Sequence, residues 1–189
     1  MAPFVLRPGA LSPAELSAAL LDGDVVPVGE AFSPVASIDR PDLRAATLGH
    51  LVPRGCAIVE LAAAWVHGAL RRPPEIVRLR LIRGRSGSGA PAPDGARLLS
   101  RRIDPAHVVS RGGTEVSGLG RTVYDLWASH LGEPSEAVGG AVRRLLRDPL
   151  AQESLLAHLE GIPRLPHART MRSGVAALRA EQAQDDVTR

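Results

Sequence analysis

The segment from Ile76 to Ile82 alternates apolar residues with arginine, and this pattern constrains the fold more than any other feature of the chain. Side chains on a β-strand point to opposite faces with a period of two, so the alternation predicts a strand with one apolar and one basic face. Arg78 and Arg80 lie on the basic face. Since a single strand cannot bury its apolar face alone, a β-sheet is expected at the centre of the chain.

The sequence on both sides of this strand predicts the other elements of a small sheet. Residues 83–95 are rich in Gly, Ser and Pro, which is typical of a loop. Further strands are predicted at Ala96–Ile103 and Val108–Val116, the second turning at Gly112-Gly113. Apolar residues at helical spacing predict a helix over Ala57–Leu70, ahead of the basic strand.

The N-terminal region has the pattern of a helix followed by a β-hairpin. Ser12 and Glu15 form a capping-box signature with Pro13 at the first helical position. Two short strands are predicted within Val25–Val35, and a second helix over Arg40–Leu51. This order is that of the back half of a winged helix-turn-helix, or of a generic helix and β-ribbon.

The C-terminal third is predicted to be helical. Apolar residues recur at helical spacing in four segments, which are Leu119–Leu131, Ser135–Arg147, Pro149–Leu159 and His167–Ala180. We therefore expect an α+β protein in three parts. These are a partial winged-helix-like segment (1–52), an α+β core with a small, mostly antiparallel sheet flanked by helices and a helical C-terminal part (53–182), and a disordered tail (183–189).

Arginine is the only long basic side chain, because all 23 Lys and Arg positions are Arg. The absence of Lys excludes Walker A NTPases, protein kinases, PLP enzymes with a Schiff-base Lys, class A β-lactamases and nucleases that use a D…(D/E)-x-K triad. The overall bias is also what a GC-rich genome produces. Its placement is uneven, however, since residues 61–121 hold eleven Arg against four Asp and Glu.

The predicted strands and their loops carry the candidate binding residues, which are Arg78, Arg80, Arg83, Arg85, Arg101, Arg102 and Arg111. If the strands pair, these guanidinium groups would form one patch able to bind phosphates or an acidic protein. The alternative is an ordinary solvated sheet face.

Metal, cofactor and nucleophilic chemistry are not expected. The six His show no H-x-x-x-H spacing, and Cys56 is the single cysteine. No G-x-S-x-G segment is present. A single Cys, an N-terminus without a basic and then apolar leader, and no long apolar run predict a cytoplasmic protein with no membrane partner.

Three segments in order resemble the AbiEi family of antitoxin-like proteins. The first runs from Glu60 through Trp65, His67 and Gly68 into the strand and loop 77–85. The second is the basic strand and link 100–105. The third, 113–126, is similar to the family pattern G-x-x-V-T-S-P-x-R-T-x-x-D-L, with Arg121, Thr122 and Asp125 at the matching positions. The resemblance covers about residues 12–148.

The resemblance implies a bacterial, often actinobacterial, regulator. Members combine a winged helix with an antitoxin domain, pair with a nucleotidyltransferase-like toxin and repress their own operon. We therefore expect a non-enzymatic, transcriptional-regulator-like protein that binds a protein toxin, DNA or both through its Arg-rich sheet face. The chain matches from the last helix and wing onward, so an incomplete winged helix is expected. The wing at 22–30 is acidic, which would repel phosphate, and nuclease activity is not expected.

Two alternatives remain open. One is a small enzyme that uses His67, Arg121 and Asp125, and the other is a degenerate structural remnant of the family. Against the first, His67 at a helix end is typical of a residue that caps carbonyls. The spacing of Arg121 and Asp125 is typical of a structural ion pair within one helix.

Overall fold

The protein divides into two compact units, an N-terminal unit (Met1–Gly118) and a C-terminal unit (Leu119–Arg189). Its structure, a computed structural model, describes residues 5–6, 9–29, 31–36, 40–87 and 91–187. Both sheets lie in the N-terminal unit, whereas the described part of the C-terminal unit is helical. The expected α+β class is confirmed. The division after Gly118 differs from the expected boundary after residue 52.

The N-terminal unit begins with the expected helix and hairpin. Helix α1 (Pro13–Leu21) starts at a capping box in which Ser12 N–H donates to Glu15 Oε2 at 2.8 Å and Glu15 N–H donates to Ser12 Oγ at 3.3 Å. Strands β1 (Val25–Val28) and β2 (Ala31–Pro34) pair antiparallel. The turn between them includes Glu30, which lies outside the described residues.

The predicted helix over Ala57–Leu70 is wrong at both ends. Residues Cys56–Ile58 form a strand, β3, and helix α3 covers only Glu60–Val66. Both Ala57 and Ile58 are fully buried, on opposite faces of the sheet. A central strand buried on both faces is apolar at every position, so its sequence resembles a helix start when only apolar spacing is read.

The central sheet has five strands in the order β5-β4-β3-β7-β6. The remaining strands are β4 (Val77–Ile82), β5 (Ala96–Ile103), β6 (Val108–Arg111) and β7 (Thr114–Ser117). The β3/β4 and β6/β7 pairs are antiparallel, whereas β4/β5 and β3/β7 are parallel. The sheet is therefore mixed. Because β4 and β5 are parallel, the chain has to return from the end of β4 to the level of its start before β5 begins. Residues 83–95 connect the two strands, and parallel strands need a connection of about a dozen residues or more.

The main core lies on one face of this sheet. Helix α2 (Pro41–Leu48), which runs into a short 3-10 turn, packs against α3, β6 and β7, and α3 packs against β4 and β7. Leu79 and Trp65 are almost fully buried there. A smaller cluster on the opposite face contains Ala57, Val59, Ile82 and Ile103.

The described residues of the C-terminal unit form four helices, which are α4 (Leu119–Gly132), α5 (Glu136–Leu145), α6 (Pro149–Gly161) and α7 (Ala168–Val187). The last helix includes residues 183–187, where a disordered tail was expected. Residues 188–189 lie outside the described residues. Within the described parts of the chain, no helix is both long and apolar enough to cross a membrane.

Candidate binding face of the sheet

The basic side of β4 is held by one carboxylate. Glu60 accepts hydrogen bonds from Arg78 Nη1 at 2.8 Å on Oε2 and from Arg80 Nη2 at 3.3 Å on Oε1. The side chain of Arg80 is only 12% exposed, whereas that of Arg78 is 55% exposed. Both predicted binding arginines therefore have an internal partner, and Arg80 in particular is part of the packed structure.

The backbone conformation of Glu60 is energetically unfavourable. Glu60 has a φ of 57°, in the left-handed region that residues other than glycine rarely adopt. Such a residue costs about 1–3 kcal/mol and persists where its surroundings impose it. The two arginine hydrogen bonds supply part of that compensation, so the Glu60–Arg78–Arg80 cluster fixes the junction between β3 and α3.

Arg83 and Arg85, which follow β4, also have carboxylate partners. Arg83 Nη1 lies 3.9 Å from Asp104 Oδ2, and Arg85 Nη1 donates to Glu115 Oε1 at 3.0 Å. Four of the seven predicted binding arginines are thus paired within the chain. Pairing reduces the net charge that they offer to a partner.

The arginines of β5 differ, since none of Arg97, Arg101 and Arg102 forms an ion pair within the described residues. All three are exposed. Arg101 and Arg102 are among the binding residues predicted from the sequence, but Arg97, which lies opposite Arg78 in the β4/β5 register, is not. Arg97 is the second residue of the predicted strand Ala96–Ile103, and this position could have identified it as a further basic residue of the sheet.

Strand β5 also lies at an edge of the sheet, with β4 as its single strand neighbour in the described structure. The register shifts between its pairs with Arg80 and Ile82, so Ser100, Arg101 and Arg102 lie opposite Leu81 alone. A bulge of this kind redirects side chains at a sheet edge. Here it presents two adjacent guanidinium groups to solvent.

Arg111 does not join this group. It lies on β6, at the opposite edge of the five-stranded sheet. Four strand spacings separate the two edges, about 19 Å. The expectation of one patch containing all seven arginines is therefore corrected, because β3 and β7 were inserted between the strands assumed to be neighbours.

The family-like residues of the N-terminal unit are structural. Trp65 is buried, its carbonyl accepts from Arg44 Nη1 at 2.8 Å, and the Arg44 guanidinium lies 5.5 Å from its ring centre. His67 Nε2 hydrogen-bonds the Ser117 carbonyl at 2.9 Å, which ties α3 to β7 instead of capping the carbonyls of its own helix. Gly68 ends the helix with a φ of 92°, a conformation that favours glycine.

The family-like residues of the C-terminal unit lie at the start of α4. Arg121 Nε is 2.9 Å from Asp125 Oδ2, with side chains that are 18% and 11% exposed. The ion pair within the helix is therefore present, as the spacing indicated. Thr122 is fully buried.

The enzyme alternative gains no support from these positions. His67 belongs to one unit and the Arg121–Asp125 pair to the other, and each is engaged by a partner within its own unit. Burial, the main cause, lowers the pKa of His67, although its bond to Ser117 raises it. Within the described ranges, no three His, Cys, Asp or Glu residues are grouped so that they could hold a metal ion.

Comparison with known proteins adds no assignment: no protein-family model and no curated protein matches this chain.

Proposed function

We propose that this chain is a non-enzymatic regulatory protein that binds an acidic partner protein along strand β5. The observation that carries the proposal is the group of three exposed arginines, Arg97, Arg101 and Arg102, on an edge strand. We call these three residues the β5 arginines. Exposed guanidinium groups without an internal carboxylate attract acidic surfaces and can bind carboxylates through two parallel hydrogen bonds.

The distribution of ion pairs supports a localised binding surface. Glu60, Asp104 and Glu115 offset three of the four positive charges that Arg78, Arg80, Arg83 and Arg85 carry. The largest group of arginines without an ion pair on the described strands is therefore on β5. Eight strand residues span about 26 Å, which is long enough to contact an extended segment or a protein surface.

An acidic protein fits this surface better than DNA does. The β1–β2 hairpin of the same unit, which the family resemblance would make the wing, is preceded by the exposed residues Asp22 and Asp24. Carboxylates there would repel phosphates. The chain also has only five aromatic residues to stack on bases, and Trp65 is in the core.

The resemblance to AbiEi-like antitoxins supports a more specific form of the proposal. In that form, the acidic partner is a nucleotidyltransferase-like toxin, and the chain acts as its antitoxin. The support lies in the order and spacing of the three matching segments.

Binding of two anionic probes tests the proposal. We expect a fluorescent Glu-rich peptide to bind at low salt and to dissociate as salt rises, because screening weakens exposed charge contacts. A DNA duplex from upstream of the gene serves as the second probe and should bind less tightly. Tighter binding of the duplex, or no binding of either probe at low salt, would refute the proposal.

Co-expression tests the antitoxin form separately. The chain should co-purify with a nucleotidyltransferase-like protein encoded beside it, and the complex should weaken at high salt. If that protein folds but stays unbound while the Glu-rich peptide binds, the antitoxin form is wrong and the acidic-partner proposal stands.

A further inference from the structure

The C-terminal unit contains a cleft of about 440 Å³ between helices α4, α5 and α7. This volume is within the range of small-molecule sites. We propose that the cleft binds a small carboxylic acid with an apolar body, such as a medium-chain fatty acid. This inference concerns the C-terminal unit and is independent of the β5 arginines.

The walls of the cleft are mainly apolar, with Trp127, Val142, Leu146, Ala177 and Leu178 among the lining residues. Glycine lets α7 approach the indole, since a Cβ atom on Gly174 would lie 2.7 Å from the Trp127 ring. A flat aromatic wall beside aliphatic side chains favours a hydrocarbon chain or ring.

Helix α7 is fixed against the other helices, so the cleft is a formed site. Gln152, which is buried, donates to the Leu146 carbonyl at 2.8 Å and accepts from Arg179 Nε at 2.9 Å. Met171 and Val175 of α7 are also buried. A preformed site costs little reorganisation when it binds a ligand.

The polar groups of the cleft point to an anion. Arg143 lies on α5 and Arg147 in the turn just after it, and neither forms an ion pair within the described part of the chain. His130, which also lines the cleft, accepts from Ser135 N–H on Nδ1 at 3.2 Å, so a neutral ring carries its proton on Nε2. Among the described residues that line the cleft, Glu181 is the single carboxylate, against the two arginines.

These groups match a carboxylate head and an apolar tail. The two guanidinium groups would bind the carboxylate oxygens, and the tail would lie against Trp127 and Leu178. The cleft could alternatively be an apolar groove that binds a helix of a partner protein. Binding of that kind would not require a charged group on the ligand. The two assignments are distinguished by comparing decanoate with decanol, which share the same hydrocarbon chain.

Calorimetric titration of the full-length chain with decanoate tests the assignment. We expect saturable binding, and binding of decanol at least about tenfold weaker, because only decanoate can form charge-assisted hydrogen bonds. Decanoate should change the emission of Trp127, so the change should be absent in Trp127→Phe. If a variant fails to fold, the comparison of decanoate with decanol on the natural chain still tests whether the cleft binds a carboxylate.

Charge variants on α5 and in the turn after it provide a matched comparison. The double variant Arg143→Gln/Arg147→Gln should bind decanoate at least about tenfold more weakly. Arg144→Gln alters the same helix outside the cleft and should leave binding unchanged. The proposal is overturned if decanoate does not saturate a site, if decanol binds as tightly, or if Arg144→Gln weakens binding as much as the double variant does.

Discussion

Glu60 is bound by two arginines of β4 at the junction between β3 and α3. Replacing it by Gln removes the carboxylate that binds Arg78 and the mostly buried Arg80. We expect Glu60→Gln to lower the free energy of unfolding by about 2 kcal/mol, less than for a fully buried pair because Arg78 is half exposed. Urea denaturation measures this change.

The exposed pair of Arg83 and Asp104 provides the control for that prediction. Its side chains are 69% and 43% exposed at an N–O distance of 3.9 Å. Asp104→Asn should therefore change the free energy of unfolding by less than about 0.5 kcal/mol. Equal effects of the two substitutions would contradict a structural role for Glu60.

His67 should make the stability of the protein depend on pH. Burial lowers its pKa below the ordinary 6.5, so the native state disfavours the protonated ring. As pH falls below 6.5, the unfolded chain binds the proton first, and stability falls until the lowered pKa of the native state is passed. Urea midpoints at about pH 7.5 and pH 5.5 should differ more for the natural chain than for His67→Gln. The same difference in both would contradict this role.

The sequence predicted which residues form the basic face of β4, but it did not predict the carboxylate that they bind. The alternation at 76–82 identified Arg78 and Arg80 as one basic face. Glu60, their partner, lies 18 and 20 residues earlier in the chain. It was read as part of a continuous helix, because nothing local indicates a left-handed residue between a strand and a helix. The ion pairs depend on tertiary geometry that spacing does not encode.

At the scale of whole elements, predictions from the sequence were reliable where residues close together in the chain determine the structure. The capping box of α1 and the turn at Gly112-Gly113 between β6 and β7 occur as predicted. The same holds for β5, whose bounds match the prediction. Strand β3 was not predicted, because its structure depends on pairing with strands that lie far away in the sequence. It pairs with β4 on one side and with β7 on the other.

The crossing of α4 and α6 offers a test of helix packing. A Cβ atom on Gly120 would overlap the Ser154 backbone carbonyl, whereas one on Gly132, at the other end of α4, would meet nothing within 4 Å. We expect Gly120→Ala to destabilise the protein by about 2 kcal/mol through overpacking. Gly132→Ala should be neutral or stabilising by up to about 1 kcal/mol, because alanine favours helix.

Thermal unfolding followed by circular dichroism measures both glycine variants. If Gly120→Ala were as stable as Gly132→Ala, the close approach of α4 and α6 would be incorrect.

At the scale of the whole molecule, charge is divided between the units. The N-terminal unit holds fourteen Arg against eleven Asp and Glu, and the C-terminal unit holds nine against nine. The sequence predicted this concentration in its central segment, but it could not predict that internal carboxylates would leave β5 as the exposed part. The excess of Arg therefore lies in the N-terminal unit, and the ion pairs leave the exposed arginines of β5 without an internal carboxylate.

The most direct test of the central claim compares two triple variants of equal charge change. One replaces the β5 arginines by Gln, and the other replaces the exposed residues Arg54, Arg71 and Arg72 of the same unit. Binding of the Glu-rich peptide at low salt should weaken by about 30-fold in the first variant, as three exposed charge contacts of under 1 kcal/mol each imply. In the second it should stay within about threefold of the natural chain. Equal losses in both variants, or no loss in the first, would contradict binding along β5.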